Sequence, residues 1–307
     1  MNSKKPSKEI SLEQWHQEEE AWWNRHGDYM TFQWKLTPLL NLILKSNLEK
    51  EYVNFLFRPN EKLLDVGCGS GWLSTLFAKR GMSVLGLDVS QTQIDAAIRL
   101  KKELQLHNAE FECCDLIDWD VERHKGQFGS VFVSAFLHHL PDVELEQVMK
   151  KIEYVLKPGG RVFLYEPMKS GSRRSFVIKS IDYLNNVFMH LTLNLLPSWF
   201  RLYSQRHLAE TAEGYQMGSP HERPVDVDLL KKVCGESFDV QEIKGQHLYS
   251  LGFAMQMMGL KPIPRKIYNV LAVLLYLEDK LLMKLFDWQR FSMPQRFILC
   301  SVKLIRK

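Results

Sequence analysis

The apolar run Leu63-Leu64-Asp65-Val66 leads straight into three glycines at alternate positions, Gly67, Gly69 and Gly71, followed by Trp72. Such a stretch reads as a buried strand entering a tight turn whose backbone must come close to a ligand. The next residues, Leu73–Arg80, predict a helix closed by Gly81. The first N–H groups of that helix have no intrahelical partner and face the turn as donors.

Two ligands compete for that turn, and a third reading is that it binds nothing. A dinucleotide fingerprint, G-x-G-x-x-G, puts its third glycine at position 72, where this chain carries Trp72. Indole there obstructs the close approach that the third glycine permits. S-adenosylmethionine is the other. Its cationic ammonium needs an anion beside the turn, and Asp65, two residues before Gly67, supplies one. A charge-assisted hydrogen bond of that kind contributes roughly 1.5–3 kcal/mol.

The chain has 307 residues, which suits one α/β core with insertions. Its formal net charge of +4 is slight for that length. No dense Lys/Arg block interleaved with aromatics is present, so no nucleic-acid partner is expected. The cysteines are Cys68, Cys113, Cys114, Cys234 and Cys300. None forms a C-x-x-C pair or a His/Cys cluster with metal-ligand spacing, so no metal is expected. They read as reduced and mostly buried, with Cys113-Cys114 lining a strand, which implies a cytosolic compartment. Met1–Glu9 is polar and lysine-rich, without the apolar segment of a secretory signal. No run approaches the roughly 20 apolar residues that span a bilayer; Val270–Leu277 is far too short.

Residues 11–57 read as helical, with Leu12, Trp15, Trp22 and Trp23 near one face, an interruption at Gly27 and Asp28, and Thr37-Pro38 opening a second helix. From Glu61 strands and helices alternate, which implies a parallel sheet. Strands are expected at Lys62–Val66, Ser83–Leu87, Ala109–Cys114, Ser130–Ser134 and Arg161–Tyr165. Ser90 and Gln93 form a capping box for a helix reaching about Leu106. Asp142 caps another, with Leu145, Val148, Met149, Ile152, Val155 and Leu156 on one face. The alternation breaks over 167–225, resumes as a helix over Asp226–Glu236 and a strand over Phe238–Lys244, and breaks again over 250–292. A last strand is expected within Arg296–Ile305. Ile267, Val270, Leu271, Leu274, Leu275, Leu281, Leu282, Leu285 and Phe286 lie at helical spacing. That pattern suits a pocket seal, a dimer face or a membrane contact alike.

In a doubly wound sheet, ligands bind outside the carboxyl ends of the strands. The polar residues expected there are Asp65, Asp88, Asp115, Ser134 and Glu166. Asp88, at the end of the second strand, can accept from both ribose hydroxyls, and Asp115 can hold an exocyclic amine such as that of adenine. Here the chain resembles the class I S-adenosylmethionine-dependent methyltransferases. The matching stretches are Leu64-Asp65-Val66-Gly67-Cys68-Gly69-Ser70-Gly71, Gly86-Leu87-Asp88-Val89-Ser90, Cys114-Asp115-Leu116, Phe136-Leu137-His138-His139-Leu140-Pro141-Asp142 and Leu156-Lys157-Pro158-Gly159-Gly160-Arg161. The histidine-containing stretch is similar to the branch that includes quinone and sterol methyltransferases.

The resemblance implies an α/β, Rossmann-like doubly wound sheet of seven strands, the last antiparallel. It implies that Asp65, Gly67, Cys68, Gly69 and Gly71 meet the methionine end of the cofactor, Asp88 and Val89 the ribose, Asp115 and Leu116 the adenine, with Ser134 at the next strand end. The organisation expected is an N-terminal helical cap at 1–57, a cofactor-binding core at 58–166, a helical lid at 167–225, core again at 226–249, an amphipathic insertion at 250–292 and the last strand at 293–307. Cap and insertions, rich in Trp, Phe, Leu and Met, would close over the site and exclude water. They suggest a hydrophobic, lipid-like acceptor, with peripheral membrane contact left open. Lys169, Arg173, Arg174 and Lys179 flank the first insertion and suit an acidic headgroup or a solvated face. His138 and His139 are the candidate bases; if the segment is a tight turn only one ring faces the pocket, with His139 preferred, and a histidine that orients substrate or caps the loop is the alternative. Trp23, Tyr29 and Tyr165 are further pocket candidates. A peptide or glycan methyltransferase, a non-catalytic cofactor-binding scaffold and, more remotely, a nicotinamide dehydrogenase are the alternatives.

Overall fold

The computed structural model describes residues 10–33, 48–169, 176–194, 219–247, 262–286 and 298–307. The expected opening at Thr37-Pro38, and Arg173 and Arg174, lie outside them, as do 195–218 and 250–261. The strands are β1 Lys62–Val66, β2 Ser83–Asp88, β3 Ala109–Cys113, β4 Phe128–Ser134, β5 Leu156–Lys169, β6 Val225–Asp226, β7 Phe238–His247 and β8 Ile298–Arg306. They form one sheet in the order β3-β2-β1-β4-β5-β8-β7, with the two-residue β6 paired to the end of β5. β1 to β5 run parallel, whereas β8 is antiparallel to both β5 and β7. The reversal between β1 and β4 opens a crevice at their carboxyl ends, where this topology binds ligands.

Helices cover both faces, as the near-continuous apolar strands demand. The helices are α1 Leu12–Gln33, α2 at 48–56, α3 Trp72–Lys79, α4 Gln91–Glu103, α5 Asp142–Val155, α6 Phe176–Asn194, α7 Val227–Cys234 and α8 Pro262–Leu285. On one face, Tyr52 and Leu56 of α2 and Leu73 and Phe77 of α3 pack on Leu63, Val84, Phe132 and Phe163. On the other, Leu145, Val148, Met149 and Ile152 of α5, Leu230 of α7 and Leu275 and Leu282 of α8 pack on Leu64, Val131, Val162 and Val302. Neighbouring residues of the central strands thus face opposite cores, which is why β1, β2 and β4 read as apolar runs.

Three local expectations are corrected. α1 runs unbroken through Gly27 and Asp28. A mid-helix glycine costs about 1 kcal/mol relative to alanine, and the packing of α1 across α4 and the sheet edge offsets that. Pro141, not Asp142, occupies the N-cap of α5; Asp142 sits in the first turn and pairs with Arg223 at 2.8 Å. β5 is much longer than Arg161–Tyr165, because β8 and β6 give its extension backbone partners. The Ser90 cap holds: its hydroxyl accepts from the Gln93 N–H at 3.3 Å.

The glycine turn needs its glycines for two separate reasons. Gly67 and Gly71 both have positive φ, 67° and 73°. At Gly71 an added Cβ would also lie 2.8 Å from Ala97 Cβ and from the Phe111 ring. Gly71→Ala therefore combines left-handed strain with overpacking, and about 2–4 kcal/mol of destabilisation is expected. Thermal unfolding checks it, with Gly81→Ala, whose Cβ meets nothing within 4 Å, isolating the strain alone.

The amphipathic segment is a single helix with apolar side chains on both sides. Ala272, Leu275 and Leu282 are buried, while Ile267, Val270, Leu274, Leu277, Leu281 and Leu285 form an exposed row. α6 lies beside it, joined by Asn185 Nδ2 donating to Glu278 Oε1 at 2.9 Å, and also exposes Phe176, Val177, Tyr183, Leu184 and Leu191. No described helix is long and apolar enough to cross a membrane.

Candidate active site

Asp65, the fourth residue of β1, is buried among the apolar side chains that α3 lays on the sheet. The Ser74 hydroxyl donates to its Oδ2 at 2.6 Å. Burial pushes its carboxyl up to about 7, the Ser74 bonds opposing and the nearby Asp88 adding to the rise. Among the described residues no cation pairs with it. A desolvated carboxylate in that state is an anion site that lacks its counter-charge, which fits a cofactor carrying an ammonium and a sulfonium.

Asp88, at the end of β2, holds the turn itself. Its Oδ2 accepts from the Gly69 N–H at 2.8 Å and its Oδ1 from the Ser90 N–H at 2.9 Å. Burial raises its pKa against those two bonds. Each oxygen keeps a second lone pair for a ligand hydroxyl. Cys68 is buried, and its N–H bonds to the Leu87 carbonyl at 2.9 Å. Val89 is half-buried and accepts at its carbonyl from the Cys113 thiol, so the vicinal cysteines do line a strand end. All five cysteines are free thiols. Leu116 sends its side chain into the larger core, leaving its backbone for any ligand. Ser134 closes β4 opposite Tyr165 of β5. The Tyr165 phenol is pushed up by burial.

Asp115 lies just past β3 and is already engaged. Its Oδ1 accepts from the Ile117 N–H at 2.9 Å, and its Oδ2 meets His16 Nδ1 of α1 at 2.8 Å. The other ring nitrogen of His16 reaches both carboxylate oxygens of Glu144, at 2.9 and 3.0 Å. Burial opposes the charge on His16, but the Glu144 hydrogen bond and the fields of both acids outweigh it and raise its pKa. Farther along α1, the Asn24 carbonyl and amide oxygens accept from the hydroxyls of Thr92 and Ser90. α1 is thus strapped across the carboxyl ends of β2, β3 and β4. A group with a raised folded pKa contributes stability below its unfolded value, near 6.5, and loses it as pH climbs through the folded value. His16→Ala is expected to speed tryptic cleavage at Arg25 at pH 6, with the difference from the parent protein fading at alkaline pH.

Beyond β4 the chain bends sharply. Ala135 has φ 51°, uncommon for a residue with a side chain, and Leu137–His139 form one turn of 3₁₀ helix. Fully buried Glu166, at the carboxyl end of β5, organises this bend. Its Oε1 accepts from the Phe136 and Leu137 N–H groups at 2.8 and 3.0 Å, and its Oε2 meets His138 Nδ1 at 2.8 Å. His139 Nδ1 meets the Ser219 hydroxyl at 2.8 Å. The 3₁₀ turn brings the two ring centroids within 3.9 Å of each other. Burial, then the neighbouring His138, hold the His139 pKa low, against the pull of Glu19. Trp23 of α1 stands edge-on to His139 at 5.3 Å. The Tyr29 side chain lies outside the described residues.

Several members of this site carry no sequence signal: His16, Glu19, Ser219, His221 and Glu222. Glu19 is buried, and its Oε1 accepts from the His221 N–H at 3.0 Å while its Oε2 lies 3.2 Å from His139 Nδ1. Burial pushes the Glu19 carboxyl up, but contact with His139, Ser219 and His221 more than offsets that and keeps it ionised. Trp15 donates to the His139 carbonyl at 2.7 Å and stacks on His221.

Residues 63–160 match the model of a methyltransferase domain. The ubiquinone biosynthesis O-methyltransferase of Coxiella burnetii (strain Dugway 5J108-111) is 29% identical over 188 residues, covering 60% of this chain and 69% of that protein. Its namesake in Acinetobacter baylyi is 28% identical over 176 residues, covering 57% and 66%. Among solved structures, geranyl diphosphate C-methyltransferase from Streptomyces coelicolor A3(2) superposes with a TM-score of 0.52 at 14% identity, over 86% of this chain and 80% of that one. That last likeness concerns the fold alone.

Proposed function

We propose that this chain, which belongs to the class I S-adenosylmethionine-dependent methyltransferases, transfers the methyl group to an oxygen of a hydrophobic, lipid-like small molecule that reaches His138 and His139. The observation that carries the reading is the pair of adjacent buried imidazoles beside the glycine turn. Each has its Nδ1 committed to a protein partner, which leaves Nε2 to face the acceptor. Bound S-adenosylmethionine supplies an activated methyl carbon for in-line displacement. The protein's part is to anchor the cofactor, align the acceptor and ease loss of the acceptor's proton in a dry pocket.

The residues divide along those lines. Asp65 offers its buried charge to the ammonium, Asp88 its free lone pairs to the ribose, and the Gly67–Gly71 turn its close backbone approach. The adenine position of Asp115 lies under α1, so α1 must accommodate or shift for the ring. The O-methyltransferase relatives support an oxygen acceptor. The exposed apolar rows of α6 and α8 suit an acceptor drawn from a lipid phase.

Incubation with S-adenosylmethionine and a set of apolar phenols, amines and peptides, read as S-adenosylhomocysteine formed, tests this. Turnover confined to the phenols is expected; turnover confined to peptides or amines refutes it. The membrane part is tested separately by liposome flotation. Leu274→Glu with Leu281→Glu, both on the exposed row, is expected to abolish flotation without loss of cofactor binding.

A further inference from the structure

We propose that His138, His139 and Glu222 form a binding site for a divalent cation of the imidazole-preferring kind, Zn2+ above all, at the acceptor end of the pocket. One ligand atom from each residue lies within 4.8 Å of the other two. Two imidazole nitrogens and one carboxylate oxygen form a donor set that suits Zn2+ with an open position, whereas Mg2+ prefers oxygen ligands alone. The sequence cannot show this grouping, since the third ligand lies 83 residues past His139.

The surroundings are those of a ligand set. Metal-binding histidines usually hand their second nitrogen to a carboxylate or other acceptor, which fixes the ring. His138 does so to fully buried Glu166 and His139 to Ser219. Ser219 also donates its N–H to Glu222 Oε1 at 3.2 Å, so one short segment orients one ligand and supplies another. Beside them lies Glu19, 6% exposed, with its Oε2 3.2 Å from His139 Nδ1. Among the described residues no Lys or Arg pairs with Glu19 or Glu222. Two buried imidazoles, buried Glu19 and the more exposed Glu222 thus gather with no Lys or Arg among the described residues to balance the acids, a charge that a divalent cation would supply.

The site rests on the reading that the acceptor meets the histidine pair, and it sharpens that reading. A coordinated hydroxyl ionises far more readily than a free one, so the natural acceptor would be a phenol or enol able to ligate through its oxygen.

The test uses the full chain without a histidine tag, stripped with chelator and then titrated with Zn2+ alone in a calorimeter. One equivalent is expected to bind. Glu222→Gln and His139→Gln are each expected to weaken it by at least tenfold, and Glu166→Gln by 10–100-fold through loss of ring orientation. Near-ultraviolet circular dichroism identifies any variant that has merely lost its fold; Glu222, on the exposed side, is the safest. Binding below half an equivalent, or binding unchanged in a folded Glu222→Gln, overturns the site. Equal turnover of a phenol by stripped and Zn2+-loaded protein also overturns it, while leaving the methyltransferase reading in place. One-to-one Zn2+ binding with no phenol methylated upholds the site and refutes that acceptor.

Discussion

His139→Asn is expected to lower turnover of the preferred acceptor by about 10²–10⁴-fold, the range for losing a group that eases the acceptor's proton loss, whether as a base or by holding the cation that lowers the acceptor's pKa. The affinity for S-adenosylhomocysteine is expected to stay unchanged, because the cofactor's anchors, Asp65, Asp88 and the glycine turn, lie on β1 and β2 rather than after β4. The two readings together matter: a general loosening of the pocket would weaken both. His138 needs different handling. Its removal leaves the fully buried Glu166 without a side-chain partner, and an uncompensated buried charge costs several kcal/mol. His138→Gln is therefore best paired with Glu166→Gln, and stopped-flow quench with acceptor in excess separates chemistry from product release.

Asp65→Asn is expected to do two opposite things. S-adenosylhomocysteine affinity falls roughly 10–100-fold, the worth of one charge-assisted bond to its ammonium. The empty protein, by contrast, becomes more stable at neutral and alkaline pH. The folded Asp65 carboxyl titrates near 7 rather than at its ordinary 3.8. The raised value means its stabilising contribution is complete below about 3.8 and is lost as pH rises through about 7. Asparagine never ionises, so the gap between variant and parent opens over about pH 4–7 and reaches on the order of 4 kcal/mol. The same shift makes cofactor binding release a proton near pH 6, since the ammonium favours the ionised acid. Calorimetry in two buffers of different ionisation enthalpy measures that proton in the parent protein, and the variant should show none.

What the sequence makes legible here follows from chain distance. Asp65, Gly67, Gly69, Gly71 and Asp88 lie within one βαβ unit, where strand ends and glycine spacing are read directly. The centre of the sheet was legible for the same reason: β1, β2 and β4 are buried on both faces and advertise themselves as apolar runs. The acceptor side was not. His139 meets Ser219 across 80 residues, and His221 meets Glu18 across 203. Such pairings are set by how α1 and the segment before β6 settle on the sheet edge, and no local pattern encodes that. The predicted break at Gly27 failed in the same way, through tertiary contacts that outweigh a weak local preference. Asp115 was legible as a strand-end acid, but not as the anchor of a helix that covers it.

The position of β8 has a consequence for how the molecule is made. β8 is the last described strand to be synthesised, yet it sits between β5 and β7 and makes the ladder to each. While the ribosome is still adding residues before 298, β7 has no strand to pair with, and one side of β5 stays bare over most of its length. The cofactor half, β1 to β4, can assemble during translation, but the far side of the sheet must wait for the arrival of β8. Slow translation or a stalled chain would therefore leave an open apolar sheet edge, the kind that recruits chaperones and seeds aggregation.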